Sequence, residues 1–417
     1  MFNSIDEVFS WLYNQKKTQK RENLDRIKKC IDDLELTPNY PIIHIAGTNG
    51  KGSCASYIKN ILKLTGRHIG FFVSPYVVCF NERIEINDRY ISNSEIMFYA
   101  NKLYTYATNY YNKYNDTIPF FELTFLMALM FYKDRNIDLA VIECGVGGLL
   151  DATNVLNTSL AIITNVGFDH MNTLGNTLDE IADHKLGIVK ENMTCLSCVC
   201  DELKPKFINY AKAHNNKIIF VDQFVKNISV SDKTYFEYKN EKYSSSLLAN
   251  YQAYNASLAI EAVKFIEPSI NNDIINLGLN ETHWPGRMEI ISKNPLVILD
   301  GAHNIHGVCG LVDSIKQMYP NKKINVLFSA LHDKAFDKML AKLDEITTKY
   351  FFTTINDKRA SDPEEFSHYT SKPYYVLDNL DECLKNALGD RCCDLLLVTG
   401  SLHFISVVRE KILKKLN

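Results

Sequence analysis

The chain has 417 residues, of which 46% are hydrophobic and 23% charged, and its formal net charge is −3. That length exceeds what one hydrophobic core usually serves, so two domains are expected, and the interspersed charges provide no basic stripe for nucleic acid. Residues 1–11 mix acidic with apolar side chains, unlike a signal peptide, and the longest apolar run is far shorter than the roughly 20 residues that cross a bilayer. We therefore expect a cytoplasmic protein without a nucleic-acid or membrane partner.

Eleven cysteines are present, an odd number without regular spacing, which is typical of a reducing compartment rather than of a disulfide framework. The closest group is Cys195, Cys198 and Cys200. A metal knuckle is one interpretation of this group, but no second Cys/His pair follows at the required spacing. We expect these residues, like Cys392 and Cys393, to be structural.

Two helices, at residues 4–14 and 23–34, are expected before an apolar strand that leads into Gly47-Thr48-Asn49-Gly50-Lys51-Gly52-Ser53. Glycines let a backbone approach phosphate groups closely, and a following helix points its positive end at them. The generic phosphate loop would have glycine in place of Ile45 and a hydroxyl residue in place of Gly52. We predict a nucleotide-phosphate loop in which Lys51 supplies the positive charge; an ordinary strand-to-helix turn is the alternative.

Strands and helices then alternate as a parallel βαβ arrangement requires. The expected elements are a helix to residue 64, a strand at 69–73, a short surface strand at 81–86, helices at 93–111 and from 119, and buried strands at 139–143 and 160–165. Glu143 ends one buried strand, and Asp169 and His170 follow the other. Ligands of open parallel sheets bind beyond the carboxyl ends of strands, which makes Glu143 a candidate Mg²⁺ ligand. A cap or salt bridge is the alternative for Glu143, and a structural role for His170.

The second half repeats the α/β pattern. A helix at 178–190 contains Lys185, which would ordinarily be a solvated surface charge. The expected elements that follow are a β-hairpin at 226–246, a helix at 252–266, a linker at 271–281, and strands at 288–291, 296–299, 324–328, 350–353, 374–377 and 395–398. Several of these strands end in polar groups, as ligand-binding sheets do. We expect one domain at residues 1–280 and a second α/β domain at 281–417.

Motifs spread over nearly the whole chain resemble those of one family. They are His44–Ser53, Ser74-Pro75, Glu82–Ile84, Phe121-Glu122, Glu143–Asn154, Thr164–His170, Lys185–Lys190, Trp284–Arg287, Asp300–Asn304, Asp333-Lys334 and Gly400–Leu402. In this order and spacing they resemble the folylpolyglutamate synthase/dihydrofolate synthase family, the folate branch of the Mur ligase superfamily. That family uses the loop form Gly-Thr-Asn-Gly-Lys-Gly-Ser, which accounts for the departure from the generic pattern.

The resemblance implies a P-loop ATPase-like domain, whose parallel sheet is flanked by helices, and a smaller C-terminal Rossmann-like α/β domain. It also implies an ATP-dependent ligase that phosphorylates a folate carboxylate and lets the amine of L-glutamate displace the phosphate. A carboxylate acylates poorly until it is phosphorylated, and phosphoryl transfer needs Mg²⁺ and lysine around the shifting charge. The implied partners are ATP, a reduced folate and L-glutamate, with the chain acting as a monomer, and dihydropteroate is a further candidate substrate.

The resemblance also implies roles for individual residues. ATP would contact the loop Gly47–Ser53 together with Arg287, Asp300 and Asn304, and two Mg²⁺ ions would contact Ser53, Ser74, Glu143 and His170. Folate would contact Arg83, Phe121 and Asp151, and glutamate would contact His303, Asp333, Lys334 and Ser401. The implied catalytic residues are Lys51, Lys185, His303 and Ser401. Lys185 would carry a carbamate, and a monovalent cation is a further candidate cofactor.

Some positions depart from the family pattern. Tyr76 and Leu149 stand where the family usually has His and Arg, and Pro119 where dual-function members tend to have Thr, which leaves the use of dihydropteroate open. Two alternatives to the main interpretation remain. A peptidoglycan-type Mur ligase would need about a hundred residues ahead of the loop for a further domain, more than precede it here. A nucleotide-binding homologue without catalysis is expected to lack some of Lys51, Glu143, His170 and Lys185, all of which are present.

Overall fold

Parallel strands connected by helices form most of the structure, as the predicted α/β fold class requires. The computed structural model describes residues 1–15 and 23–416. Their packing divides them into two units. Unit 1 comprises Met1–Val166, His170–Gln223 and Leu258–Gly278, and unit 2 comprises Gly167–Asp169, Phe224–Ser257 and the chain from Leu279. Residues 224–257 thus pack with unit 2, and the functional boundary expected at residue 280 stays a prediction.

An eight-stranded sheet lies at the centre of unit 1. The strands are β1 (Ile42–Ala46), β2 (Ile69–Phe72), β3 (Ile84–Ile86), β4 (Arg89–Tyr90), β5 (Leu139–Glu143), β6 (Leu160–Ile163), β7 (Thr194–Ser197) and β8 (Lys217–Phe220). The helices are α1 (Ile5–Asn14), α2 (Asp25–Asp33), α3 (Lys51–Lys63), α4 (Asn93–Tyr114), α5 (Phe120–Arg135), α6 (Met171–Leu174), α7 (Leu178–Leu186) and α8 (Lys204–Ala213). The strand order is β4-β3-β2-β5-β1-β6-β7-β8, antiparallel only at the β2–β3 and β3–β4 pairs.

The central strands β1 and β5 are buried along their whole length. Both are short, mostly apolar runs, which is typical of parallel strands that are covered on both faces. Helix α5 belongs to the same core, where every residue from Leu123 to Tyr132 is buried. Such a helix has no polar face, so its continuous apolar run identifies it as a core element.

The short strand expected on the surface at 81–86 is instead a buried part of the sheet. A 3₁₀ turn occupies Phe80–Arg83, and β3 follows it with Ile84 and Glu85 buried. The alternation of charged and apolar residues suggested a solvated face. It was misleading because Glu85 forms a buried ion pair with Lys59 of α3, with 2.6 Å between carboxylate oxygen and ammonium nitrogen.

The expected linker at 271–281 is wrong, because this segment forms a helix. Helices α9 (Asn250–Ile266) and α10 (Asn272–Glu281) have residues in both units. The side chain of Asn271 accepts a hydrogen bond from the Asp273 amide at 2.8 Å, as a helix cap does. A Cβ on Gly278 would lie 2.6 Å from the Cα of Ile61, so α10 packs closely on α3. The polar composition hid a few apolar residues at helical spacing.

Unit 2 contains two sheets. The strands are β9 (Val225–Val230), β10 (Thr234–Tyr238), β11 (Glu241–Ser245), β12 (Glu289–Lys293), β13 (Leu296–Leu299), β14 (Ile324–Phe328), β15 (Thr347–Phe352), β16 (Tyr374–Val376) and β17 (Leu395–Thr399). The helices are α11 (Ile305–Met318), α12 (Phe336–Leu343), α13 (Pro363–Ser367), α14 (Leu380–Gly389) and α15 (Leu402–Leu416). The expected hairpin is confirmed as β10–β11, to which β9 adds a third antiparallel strand.

The larger sheet of unit 2 has the order β12-β13-β17-β14-β15-β16 and is parallel except for the β12–β13 pair. The carboxyl ends of β13, β17 and β14 therefore lie next to one another at one edge. The polar segments 300–304, 399–401 and 329–334 follow these three strands, so the sheet brings them together as expected. Within the described part of the chain, no helix is both long enough and apolar enough to cross a membrane.

Candidate active site

The predicted phosphate loop lies in unit 1, between the end of β1 and the start of α3. Two residues after β6 hold its backbone. The amides of Thr48 and Asn49 donate to the carbonyl and side-chain oxygens of Asn165 at 3.1 and 2.9 Å. The hydroxyl of Thr164 donates to the Asn49 carbonyl at 2.6 Å. A Cβ on Gly47 would lie 1.8 Å from that hydroxyl oxygen, so the loop needs glycine here.

Lys51, the first residue of α3, lies over this loop. Its Nζ donates to the Gly47 carbonyl at 3.1 Å and lies 3.8 Å from Oε1 of Glu143. The other carboxylate oxygen of Glu143 accepts from the Ser74 amide at 3.1 Å. The ends of β2 and β5 and the start of α3 therefore bring Lys51, Glu143 and Ser74 together.

The predicted metal ligands fit Mg²⁺ in their chemistry. Ser53 and Glu143 are buried, and hydroxyl and carboxylate oxygens are the donors that this cation prefers. Among the residues that the structure describes, no three His, Cys, Asp or Glu side chains are grouped so as to hold a metal. A site that depends on one carboxylate and on substrate phosphates is nevertheless usual for Mg²⁺. His170 has a φ of 50°, a conformation that non-glycine residues adopt rarely and often at functional sites.

A buried chain of hydrogen bonds connects β1 to Asp151. His44 Nε2 lies 2.7 Å from the hydroxyl of Thr153, and that hydroxyl donates to Asp151 Oδ1 at 2.6 Å. The single proton of the threonine is thus committed to Asp151, so the oxygen accepts from His44 and Nε2 carries the ring proton. Complete burial, with a smaller effect of Lys190, lowers the pKa of His44 to about 3. The sequence interpretation missed His44 in this role; a polar residue inside an apolar strand was the available signal.

Two of the predicted folate residues meet at the glycine-rich turn after β5. A Cβ on Gly145 would lie 2.9 Å from the ring of Phe121 and 3.1 Å from Oδ2 of Asp151. The same carboxylate oxygen accepts from the Val146 amide at 3.0 Å. Phe121 and Asp151 therefore pack closely against Gly145, which leaves no room for a side chain at position 145.

The third predicted folate residue, Arg83, lies among aromatic rings and is only 8% exposed. Its guanidinium carbon lies 5.2 Å from the ring centre of Tyr76, 5.3 Å from that of Phe120 and 6.0 Å from that of Phe80. The hydroxyls of Tyr13 and Tyr76 are 3.0 Å apart. The Nε of Arg83 has no hydrogen-bond partner among the described residues, and burial lowers the pKa of its guanidinium. A cation buried in this way is costly, so this aromatic pocket favours an anionic or electron-rich ligand.

Lys185 is buried, contrary to the expectation of a solvated surface lysine. It is 2% exposed and lies in the last turn of α7. The Leu149 amide donates to the carbonyl of His184 at 2.6 Å, and a Cβ on Gly148 would lie 3.3 Å from the Cα of Lys185. The glycine-rich turn after β5 therefore covers this part of α7. The general tendency of lysines failed here because a distant segment of the chain closes over the helix.

Asp300, at the end of β13 in unit 2, has its carboxylate occupied by protein donors. Oδ1 accepts from the Ala302 amide at 2.9 Å, and Oδ2 accepts from the Met288 amide at 2.9 Å and the Tyr251 hydroxyl at 3.0 Å. Burial raises the pKa of Asp300, although the positive charge of Arg287 opposes the shift. The carboxylate thus fixes the strand end and lies within the electrostatic range of Arg287.

Asp169 connects three of the predicted residues of unit 2. Its Oδ1 lies 2.6 Å from Lys334 Nζ. Its Oδ2 lies 3.1 Å from Asn304 Nδ2 and 3.2 Å from His303 Nε2. Lys334 is also 3.8 Å from a carboxylate oxygen of Asp333. The sequence noted Asp169 only as a polar residue after a buried strand, and no pattern predicted which side chains it would contact.

Ser401 lies beside the segment that carries His303. The amide of the preceding Gly400 donates to the Ala302 carbonyl at 3.2 Å. The Ser401 hydroxyl is 3.4 Å from the Phe404 amide, which makes it a loose cap at the start of α15. Neighbouring strand ends therefore place Ser401 and His303 on adjacent segments.

Comparisons with known proteins agree with this arrangement. The Mur ligase middle domain matches residues 45–263, and the glutamate ligase domain of Mur ligases matches residues 286–402. The chain is 32% identical over 434 aligned positions to the dihydrofolate synthase/folylpolyglutamate synthase of Bacillus subtilis (strain 168), and the match covers 99% of this chain and 100% of that protein. The chain belongs to the dihydrofolate synthase/folylpolyglutamate synthase family.

Solved structures confirm the fold of this family member. Escherichia coli FolC in complex with DHPP and ADP is 24% identical, with a TM-score of 0.89 and coverage of 100% of this chain and 99% of that one. A bifunctional folylpolyglutamate synthase/dihydrofolate synthase with Mn, AMPPNP and L-glutamate bound is 23% identical, with a TM-score of 0.85 and coverage of 98% of both chains. At these identities the likeness establishes the α/β fold class.

Family membership confirms the resemblance on which the residue roles were based, while the roles themselves stay predictions. The structure places several of the predicted site residues in local groups. Unit 1 holds the group Lys51, Glu143 and Ser74 and the pair Phe121 and Asp151. Unit 2 holds the group His303, Asn304 and Lys334, which Asp169 joins. Arg83 packs against Phe120, the residue that precedes Phe121.

Proposed function

We propose that this protein is an ATP-dependent ligase that joins L-glutamate to the glutamyl carboxylate of a reduced folate and releases ADP and phosphate. The observation that carries the proposal is the group Lys51, Glu143 and Ser74 over a preformed phosphate loop. The second half of the same chain matches a glutamate ligase domain. The Bacillus subtilis relative is named for both dihydrofolate synthesis and folylpolyglutamate synthesis.

The first step forms an acyl phosphate on the folate carboxylate. The loop amides and Lys51 bind the phosphates of ATP, and α3 directs its positive end at them. Ser53, Ser74, Glu143 and His170 would hold two Mg²⁺ ions. Bound Mg²⁺ would neutralise the charge that moves between the phosphoryl group and the carboxylate. The protein accelerates the step chiefly by holding the carboxylate in line with the γ-phosphate.

The residues proposed to contact folate form two groups in unit 1. Arg83 offers a buried positive charge among aromatic rings, and this pocket suits the planar and electron-rich parts of a folate. Phe121 and Asp151 pack together against Gly145. The hydrogen bonds from Thr153 hold the Asp151 carboxylate in one orientation.

The second step is the attack of the glutamate amine on the acyl phosphate, which expels phosphate. His303, Asp333, Lys334 and Ser401 would bind glutamate, while Arg287, Asp300 and Asn304 would contact ATP. Three protein donors hold the Asp300 carboxylate in one orientation. Lys334 pairs with Asp169, so its ammonium group is held in a fixed position.

Lys185 would act as a carbamate, formed when its neutral amine adds carbon dioxide. Its burial supports this role, because a buried ammonium is costly whereas a carbamate can receive hydrogen bonds or a cation. A Lys185→Ala variant that keeps the full rate would refute the assignment, with Lys212→Ala, at an exposed position of α8, as its control. A monovalent cation is a further candidate cofactor. Rates in potassium and in tetramethylammonium salts test that candidate.

The proposal is tested by measuring ADP release from the purified protein. The release should require both L-glutamate and a reduced folate. ADP release without folate would refute the proposal. The same assay with dihydropteroate decides whether the second activity is present, since the relative from Bacillus subtilis is named for both. A homologue without catalysis would bind nucleotide and release no ADP.

We also propose that the protein acts as a monomer in the cytoplasm. All eleven cysteines are free, which supports a reducing compartment. Sedimentation at several protein concentrations tests the monomer, because a self-associating chain would sediment faster as concentration rises.

A further inference from the structure

We propose that Asp169 is a positioning residue for the glutamate-addition step, which it supports by holding His303 and Lys334 in place. This inference rests on the proposed function. Asp169 received no role from the sequence, yet it contacts one predicted ATP residue and two predicted glutamate residues. Its carboxylate is 7% exposed and the Lys334 side chain 9%, so the pair lies largely out of water.

The two carboxylate oxygens of Asp169 contact different partners. Oδ1 accepts from the ammonium of Lys334 at 2.6 Å. Oδ2 accepts from Asn304 Nδ2 at 3.1 Å and faces His303 Nε2 at 3.2 Å. All three partners present nitrogen atoms, and only a group with two acceptor oxygens can serve all of them at once. A carboxylate is therefore required at this position, rather than a polar side chain of any kind.

Further contacts fix the positions of the side chains of His303 and Asn304. His303 Nδ1 lies 2.9 Å from the Gly301 carbonyl, so both ring nitrogens have partners and the plane of the imidazole is set. Asn304 Oδ1 accepts from the Gly307 amide at 2.8 Å and caps α11, which leaves Nδ2 to donate to Asp169. Asn304 has this second anchor, whereas Lys334 depends on carboxylates, chiefly that of Asp169.

The substitution Asp169→Asn tests whether Asp169 positions the residues that are predicted to bind glutamate. An asparagine has one acceptor oxygen, which the ammonium of Lys334 would attract, so its NH₂ group would face His303 and Asn304. This NH₂ group opposes the Nδ2 donor of Asn304 and offers no acceptor oxygen to Nε2 of His303, so the contact that holds the imidazole is lost. Asn304 keeps its place through the α11 cap. The loss should therefore fall on glutamate rather than on ATP.

A matched control exists at the opposite edge of the same sheet. Asp390 Oδ2 lies 2.6 Å from Lys349 Nζ and 3.1 Å from Asn325 Nδ2, nearly the same contacts as those of Asp169. Lys349 and Asn325 lie near the starts of β15 and β14, away from the predicted site residues. Asp390→Asn therefore removes an equivalent ion pair from the fold without touching the site.

The experiment measures steady-state ADP release at varied glutamate and at varied ATP, together with thermal unfolding. We expect Asp169→Asn to lower kcat/KM for glutamate by about 100-fold and to change KM for ATP by less than about threefold, as misplacement of a reacting group does. Its melting temperature should fall no further than that of Asp390→Asn. Asp390→Asn should keep the kinetic constants of the unaltered protein.

The conservative variant Asp169→Glu keeps two acceptor oxygens and should recover part of the lost kcat/KM, and it replaces Asp169→Asn if that variant does not fold. The inference is overturned if both variants match the unaltered protein, if the KM values for ATP and glutamate rise equally, or if Asp390→Asn causes the same loss. Absence of glutamate-dependent ADP release from the unaltered protein would overturn the proposed function as well. Normal release with an unaffected Asp169→Asn overturns only the positioning role.

Discussion

Arg83 is a buried charge whose proposed role is folate binding, and burial of such a charge is expected to cost stability. Replacement of a buried ion by an apolar residue of similar size is often neutral or stabilising by about 1–4 kcal/mol. We expect Arg83→Met to leave the free energy of unfolding unchanged or higher, while KM for the reduced folate rises about tenfold or more. Urea unfolding and folate kinetics on the same preparation measure the two effects. The exposed Arg89→Met is the control and should alter neither.

The opposite outcome would mean that Arg83 contributes to the stability of the protein rather than to folate binding. A variant that unfolds more easily and keeps its folate KM would mean that the contacts with Tyr76 and Phe120 stabilise the protein. The pattern Glu82-Arg83-Ile84 marked this residue through the family resemblance alone. Its burial could not be predicted, because the rings around it come from α5 and from the loop after β2.

His44 should make the stability of unit 1 dependent on pH. Its pKa is about 3 in the folded protein, compared with an ordinary value of 6.5, because burial disfavours the charged ring. The folded state therefore binds fewer protons than the unfolded state between these pH values. Stability is complete above about pH 6.5 and falls below it by up to about 1.4 kcal/mol per pH unit, until the pH approaches the folded pKa.

The variant His44→Gln tests this dependence, because glutamine does not titrate. We expect the free energy of unfolding to fall less steeply between pH 6.5 and about 4.5 than in the unaltered protein, even if its value at pH 7.5 is lower. Urea unfolding at a series of pH values provides both slopes. His68→Gln, on the exposed surface, should keep the original slope. Equal slopes in all three proteins would contradict the burial of a neutral His44.

At the scale of elements, α10 offers a direct test of packing, since the sequence suggested a linker there. A Cβ on Gly278 would lie 2.6 Å from the backbone of Ile61, so α10 and α3 would have to separate. We expect Gly278→Ala to destabilise the protein by about 1–3 kcal/mol, the usual cost of overpacking, although alanine is the better helix former. Thermal and urea unfolding measure the change.

Gly389→Ala is the matched control, because this glycine ends α14 and has nothing within 4 Å of the position that a Cβ would occupy. It should be neutral or slightly stabilising, by up to about 1 kcal/mol. A neutral Gly278→Ala would be incompatible with the close approach of α10 to α3. It would return the segment to its first interpretation as a loosely attached connection.

Elements whose apolar residues form one regular pattern could be predicted from the sequence. Elements whose burial depends on contacts with distant segments of the chain could not. Strands β1, β5 and β14 are apolar runs whose positions follow from the sequence, and α5 follows from its length. Strand β3 was expected on the surface because its sequence contains charged residues. The sequence could not show that Glu85 is buried, because its ion-pair partner Lys59 lies on a separate element, α3. Helix α10 was hidden for a similar reason, because only its packing reveals its apolar side.

The same distinction applies to the candidate site as a whole. Residues at strand ends, such as Glu143 and His303, could be named because parallel sheets place ligands there. The contacts among them could not, because the partners of Asp169 and His44 are far away in sequence. Family resemblance supplied roles for single residues, and the fold adds the supports between them.

At the scale of the whole molecule, the thiols test how closely the described residues pack within each unit, without any ligand. All eleven cysteines are free. Only Cys200 and Cys392 are exposed, whereas Cys30, Cys54, Cys144, Cys195 and Cys383 are buried. Burial raises the pKa of the buried thiols, so the reactive thiolate is scarce as well as inaccessible.

We therefore expect a thiol reagent such as dithionitrobenzoate to modify the two exposed cysteines rapidly in the native protein and all eleven in guanidinium chloride. Reductant should leave the melting temperature unchanged, because no covalent cross-link contributes to stability. The five buried thiols should react at the rate of unfolding or local opening, which makes them reporters on the two sheet cores. A denatured titre below eleven would reveal a disulfide, and rapid modification of the buried thiols in native protein would show that the cores are not closed around them.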